Sequence, residues 1–239
     1  MPVEFTSEYA ERLYNHATNM ERTGDYVYAI RLLEKLVEIA DPFFTAFALV
    51  RIAQVSKQIG RRDLETEAFR RITRLPHDQQ RLVKPAFLAI SYQRVGNLRA
   101  AREIHNEILE LTPRDQASVA ALAELFLLED KPADAEPRAA VLRESPDPGF
   151  QILGRMIGAF ALALRGMHDA AGRELYWVGQ FLISSGNVPT STWDYGDLQP
   201  LTAKTGRNAR TFNALIDVLS NKMPLPEFID AWKTAAPAV

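Results

Sequence analysis

Alanine recurs along this chain at a nearly constant interval: Ala17, Ala53, Ala89, Ala123 and Ala159 are separated by 36, 36, 34 and 36 residues. Seven residues after each stands a turn former, namely Gly24, Gly60, Gly96, Asp130 and Gly166. Five residues further on, four of the units carry a second alanine, Ala29, Ala101, Ala135 and Ala171, while the second unit has Glu65 in register and Ala68 three places later. Three marks kept in step through five units describe one supersecondary element copied in series. Periods of this length belong to architectures in which each unit buries its apolar face against the next. The physical reading is two helices joined by a short turn, with alanines where large side chains would hold the helices apart.

The hydrophobic spacing agrees. In the third unit Leu82, Phe87, Leu88, Ser91, Tyr92 and Val95 give a first helix, Gly96-Asn97 ends it, and Ala101, Ile104, Ile108 and Leu111 continue at helical intervals through a second. Pro113 closes the unit, and Asp41-Pro42, Leu75-Pro76 and Pro146-Asp147-Pro148 punctuate others, because proline cannot continue a helix. No segment alternates with β-branched enrichment, so the expected fold class is all-α without a sheet.

Several of these marks coincide in one unit. Ala89, Tyr92, Gly96-Asn97-Leu98, Ala101, Ile108 and Pro113 make the third unit resemble the tetratricopeptide repeat family, and Ala17, Gly24-Asp25-Tyr26, Ala29 and Leu36 extend the likeness to the first. The resemblance covers residues 8 to 182. It weakens in units four and five, where Asp130 replaces a turn glycine and Arg155 stands where an apolar residue is usual. It implies a right-handed α-solenoid of stacked helix-turn-helix hairpins over residues 1–183, with first helices lining a concave groove. That groove would hold a peptide or helix of a partner protein. The residues placed there are Tyr14, Thr18 and Glu21; Val50, Arg51, Gln54 and Lys57; Ala86, Ile90 and Gln93; Ala120, Glu124 and Leu127; and Met156, Phe160 and Ala163. Family members that clamp a peptide's terminal carboxylate use Lys and Asn at places that hold Tyr14, Thr18, Val83 and Phe87 here, so that clamp is not expected.

The pattern changes after residue 183. Residues 184–206 are rich in turn formers and read as an insertion with at most one short helix, near Asp197 to Lys204. Residues 207–239 carry a helix from Ala209 to Asn221 and another from Pro226 to about Thr234, a degenerate hairpin suited to cap the last apolar face. Ile90, Ala120, Leu127, Met156, Phe160 and Ala163 are expected to form one apolar strip in the groove. A bare strip of this kind is an aggregation hazard, so it is either an interface for a partner or is covered by the insertion through Trp193 or Tyr195. If it is an interface, Met156→Glu with Phe160→Glu should abolish partner capture and leave the helical signal intact.

Composition narrows the remaining classes. The net charge is −2, but residues 1–50, 51–94, 95–148 and 149–239 carry −4, +6, −5 and +1. The basic band between acidic flanks (Arg51, Arg61, Arg62, Arg70, Arg71, Arg74, Arg81 and Lys84) supports nucleic-acid binding only as an alternative, since Phe69 and Phe87 are the few interleaved aromatics. There is no cysteine, and His16, His77, His105 and His168 are too far apart to pair as metal ligands, with His16 and His105 read as packing residues. No nucleophile elbow or phosphate loop is present, so catalysis, cofactors and metals are not expected. An enzyme or small-molecule sensor centred on Trp193, Asp194, Tyr195 and Asp197 is the remaining alternative. The longest apolar run, Met156 to Leu164, is nine residues against the roughly 20 needed to span a bilayer. The acidic, polar N-terminus does not read as a signal peptide. The expectation is a cytoplasmic adaptor, monomeric or weakly dimeric.

Overall fold

The computed structural model describes residues 3–189 and 193–237; residues 190–192 of the insertion lie outside them. Among the described residues there are helices and connections but no strand. Contacts divide the chain into two units, Met1–Ile108 and Leu109–Val239.

The first unit holds α1 (Val3–Arg22), α2 (Tyr26–Ile39), α3 (Pro42–Gln58), α4 (Arg62–Thr73), a single turn α5 (His77–Gln80), α6 (Pro85–Arg94) and most of α7 (Leu98–Leu111). Helices α1 and α2 pair, as do α3 and α4, and α2 packs on α3 and α4 on α6. The core runs through Leu33, Leu36, Leu49, Ile52, Phe69 and Ile72. The second unit holds α8 (Gln116–Leu128), α9 (Pro132–Arg143), α10 (Pro148–Leu164), α11 (His168–Ser185), a 3₁₀ helix (Tyr195–Lys204), a short 3₁₀ turn (Gly206–Asn208), α12 (Ala209–Leu219) and α13 (Leu225–Ala235). Here α8 to α11 pack in succession, and the 3₁₀ helix, α12 and α13 pack onto α10 and α11.

The five turns are built alike, which explains the recurring glycine. In each, the turn residue takes a left-handed φ: +83° at Gly24, +72° at Gly60, +83° at Gly96, +58° at Asp130 and +80° at Gly166. The next backbone N–H then reaches five residues back, Asp25 to Met20, Arg61 to Ser56, Asn97 to Tyr92, Lys131 to Phe126 and Met167 to Leu162, at 2.8–2.9 Å. This satisfies carbonyls that the end of a helix would otherwise leave open, and it favours glycine because a Cβ is strained at these angles. Aspartate is among the few residues that tolerate them, which is why Asp130 can stand in.

The alanine marks are packing positions. Ala17, Ala53, Ala89, Ala123 and Ala159 are each no more than 1% exposed, and so are Ala29, Ala101, Ala135, Ala171 and the displaced Ala68. Aspartates start several helices: Asp41 accepts from the N–H groups of Phe43 and Phe44, Asp115 from Ser118 and Asp147 from Gly149.

Three local expectations are corrected. Helix α6 begins at Pro85, so Leu82 lies before it, in a connection that contains the unforeseen α5. The helical part of the insertion is a 3₁₀ helix that starts two residues earlier than expected, at Tyr195. His16 is exposed, edge-on to the Tyr28 ring at 5.6 Å, whereas His105 is buried at 3% exposure. The insertion and the C-terminal hairpin share one core with α8 to α11 through Leu198, Phe212 and Trp232.

Candidate functional site

The residues expected to line a groove separate into two groups, one in each unit. In the first unit Tyr14, Thr18, Arg51 and Gln93 are half-buried, and Gln54 and Ile90 are exposed. In the second, Glu124, Leu127, Met156 and Phe160 are all between 0 and 2% exposed. No partner can touch those four side chains in this conformation, unlike side chains that line an open groove.

The second unit fills its own face. Tyr195 and Leu198 of the 3₁₀ helix and Phe212, Leu215 and Ile216 of α12 join Leu127, Met156 and Phe160 in one cluster. Phe160 and Phe212 stack with ring centroids 3.9 Å apart and planes 24° from parallel. Trp193 Nε1 donates to Glu124 Oε2 at 2.9 Å, so a polar side chain on α8 holds the start of the covering segment. Tyr195 of the insertion is buried in this cluster, and Trp193 is half-buried beside it. Trp193→Phe keeps the ring and deletes this donor to a carboxylate that is 2% exposed. It is expected to lower stability by about 1–3 kcal/mol, the range for leaving a buried polar group one bond short. Equal urea midpoints for the two proteins would show that the bond contributes nothing.

Arg155, which breaks the apolar pattern, is explained by its neighbours. Its guanidinium donates to Glu174 Oε2 at 2.8 Å and lies over the Trp177 ring, 4.0 Å from the centroid, while Arg143 donates to the other oxygen of Glu174 at 3.0 Å. One carboxylate thus joins two guanidinium groups, and the Trp177 ring covers the flat face of one of them, Arg155. The sequence signal was the misplaced arginine alone.

The first unit keeps its face open. Tyr14 of α1 and Phe44 of α3 meet at 5.8 Å between centroids, Phe44 meets Phe43 at 5.2 Å, and Phe43 meets Phe47 at 4.8 Å. Phe43 remains 52% exposed, and Phe44 and Phe47 are half-buried. Beside the rings, Arg51 is not a free cation: it holds both carboxylate oxygens of Glu21, through Nε at 3.2 Å and through Nη2, and its Nη1 lies 3.5 Å from Gln54 Oε1. The face is aromatic with a neutralised polar edge. Phe43, Phe44 and Phe47 were missed in the sequence because they belong to the first turns of α3, ahead of the position where the repeat marks begin.

The basic band is similarly engaged. Arg51 pairs with Glu21, Arg61 with Asp63, Arg70 with Glu67 and Arg71 with Glu34. The hydrogen bond from Arg61 brings the Asp63 carboxyl down to about 2. Half of the band's eight cations are therefore committed to carboxylates, which weakens its attraction for phosphate. Among the described residues no group of three metal-ligating side chains comes together, and no helix is long and apolar enough to cross a membrane.

No protein-family model matches the sequence, and no curated protein matches it either. Among solved structures, the crystal structure of a tetratricopeptide repeat protein from Parabacteroides merdae is similar, with a TM-score of 0.55 over 95% of this chain and 91% of that chain, at 18% identity. At that identity the likeness is one of fold. The chain is an all-helical protein with a tetratricopeptide-repeat-like fold, its helices packed in sequential pairs.

Proposed function

We infer that this chain is a non-enzymatic adaptor that binds a peptide or helix of a partner protein on the aromatic face of its first unit. The supporting observation is the cluster Tyr14, Phe43, Phe44 and Phe47, whose rings are left partly in water. Aromatic side chains at a surface supply large contact area with little rotamer entropy to lose, and they dominate binding energy where they cluster. Thr18 on α1 and Arg51 and Gln54 on α3 are exposed or half-exposed on the same two helices and supply polar groups to them, and Ile90 and Gln93 are accessible on α6. In the second unit Leu127, Met156 and Phe160 are instead buried against its own 3₁₀ helix and α12.

The test is selection of binders from a random peptide library on the intact chain, followed by titration against Tyr14→Ala with Phe47→Ala. Selected peptides should lose at least about tenfold in affinity, the loss expected of central aromatic contacts, while the melting curve stays close to wild type. Selected peptides that bind the double variant as well as the wild type would place the site elsewhere.

A further inference from the structure

A second concavity in the first unit carries charges that the fold does not use. It is a cleft of about 610 Å³ where α5, α6 and α7 converge, within the usual range for small-molecule and side-chain pockets. Its apolar lining includes Val83, Leu88 and Ile104. From α7 come Glu103 and Glu107, one helical turn apart and so on the same side of the helix. From the α5 turn come His77 and Arg81.

The α5 side is fixed in place. Gln80 Nε2 donates to the carbonyls of Thr73 at 3.1 Å and Leu75 at 3.0 Å, and Gln80 Oε1 accepts from the Tyr92 hydroxyl at 3.3 Å. One amide thus ties the end of α4, the α5 turn and α6 together, so the backbone that carries Arg81 is organised before any ligand arrives. The charges beside it are available. Among the described residues Arg81 and Glu107 make no ion pair, although Arg51, Arg61, Arg70 and Arg71 of the same unit all do. Glu103 is shared only with Arg99, in an exposed pair at 2.8 Å.

Groups of both signs around one apolar floor select for a ligand that has both signs and an apolar stem. A simple cation would meet Arg81, and a simple anion would meet Glu103 and Glu107. We propose that this cleft binds a basic amino-acid residue with a free carboxylate, its ammonium or guanidinium toward Glu103 and Glu107, its stem over Leu88 and Ile104, and its carboxylate toward Arg81. Free arginine and the C-terminal arginine of a peptide share this chemistry. The site has no residue in common with the aromatic face of α1 and α3, so either reading stands or fails without the other.

The probes are L-arginine, agmatine, the tripeptide Ala-Ala-Arg and its C-terminal amide, titrated into the intact chain with methyl NMR on Val83, Leu88 and Ile104. L-arginine or Ala-Ala-Arg should saturate these signals, and Glu107→Gln and Arg81→Ala should each weaken that binding by at least about tenfold. Agmatine and the amide should bind at least about tenfold more weakly than their acids to the wild type, and Arg81→Ala should abolish this preference. Saturation by the free amino acid alone identifies a metabolite as the source, and saturation by the tripeptide alone identifies a chain terminus. Failure of all four probes to saturate in the millimolar range overturns the proposal. So does equal affinity for agmatine and arginine, or wild-type binding by Glu107→Gln.

Discussion

Phe160→Glu is expected to unfold the second unit. The side chain is fully buried, stacked at 3.9 Å on Phe212 and surrounded by α12 and the 3₁₀ helix. Removing a phenylalanine from such a site costs about 3–5 kcal/mol even when alanine replaces it, and a carboxylate adds the cost of burying a charge. Set against a typical domain stability of about 5–15 kcal/mol, this leaves little or no folded second unit. The measurement is far-UV circular dichroism with hydrogen exchange, in which α10 to α13 should lose protection. This outcome reverses the one expected of an open strip, where the same substitution would spare the helices and remove only binding. A soluble Phe160→Glu protein with the wild-type urea midpoint would show that the face is open after all.

Gly154→Ala is expected to be nearly as damaging, and Gly158→Ala, one turn along the same helix, harmless. A Cβ at Gly154 would stand 2.7 Å from Leu142 Cβ and 2.8 Å from both Ala139 O and Arg143 N, so it meets the backbone of α9 and cannot be relieved by rotating a side chain. Helices α9 and α10 would have to separate, at about 3 kcal/mol, the upper part of the usual range for overpacking. A Cβ at Gly158 would find its nearest neighbour at 3.4 Å, the end of the flexible Arg143 side chain, followed by Ala139 Cβ at 3.7 Å. That variant should match or exceed the wild type, since alanine is favoured over glycine in a helix interior by roughly 1 kcal/mol. Urea melts of the two variants side by side give the comparison. Equal midpoints would mean that α9 and α10 leave room for a Cβ at Gly154.

Both glycines and the buried phenylalanine mark where the sequence stops being informative. The repeat was legible because it records local requirements. Gly24, Gly60, Gly96 and Gly166 meet a backbone angle that most residues avoid, and the alanine series meets a distance between neighbouring helices that recurs in every hairpin. Those demands act over one hairpin at a time, so they leave a period in the chain. The bounds of α12 and α13 were within a few residues of expectation for the same reason, since helix faces and proline starts are local signals.

The candidate site was legible only in part. Tyr14, Thr18, Arg51 and Gln93 are half-buried and Gln54 and Ile90 exposed, but the rings beside Tyr14 were not anticipated, nor was the cleft around Arg81 and Glu107. Leu127, Met156 and Phe160 have the same spacing whether a partner or the chain itself covers them. Their periodicity therefore identified an apolar face and could not identify its occupant. That was decided by contacts such as Trp193 to Glu124, across 69 residues, and Phe160 to Phe212, which follow no period. The sequence by itself determined the hairpins, because turn geometry and interhelical distance are imposed residue by residue. Only the tertiary structure decided which face is open and which is filled, because that depends on where a segment outside the repeat comes to rest.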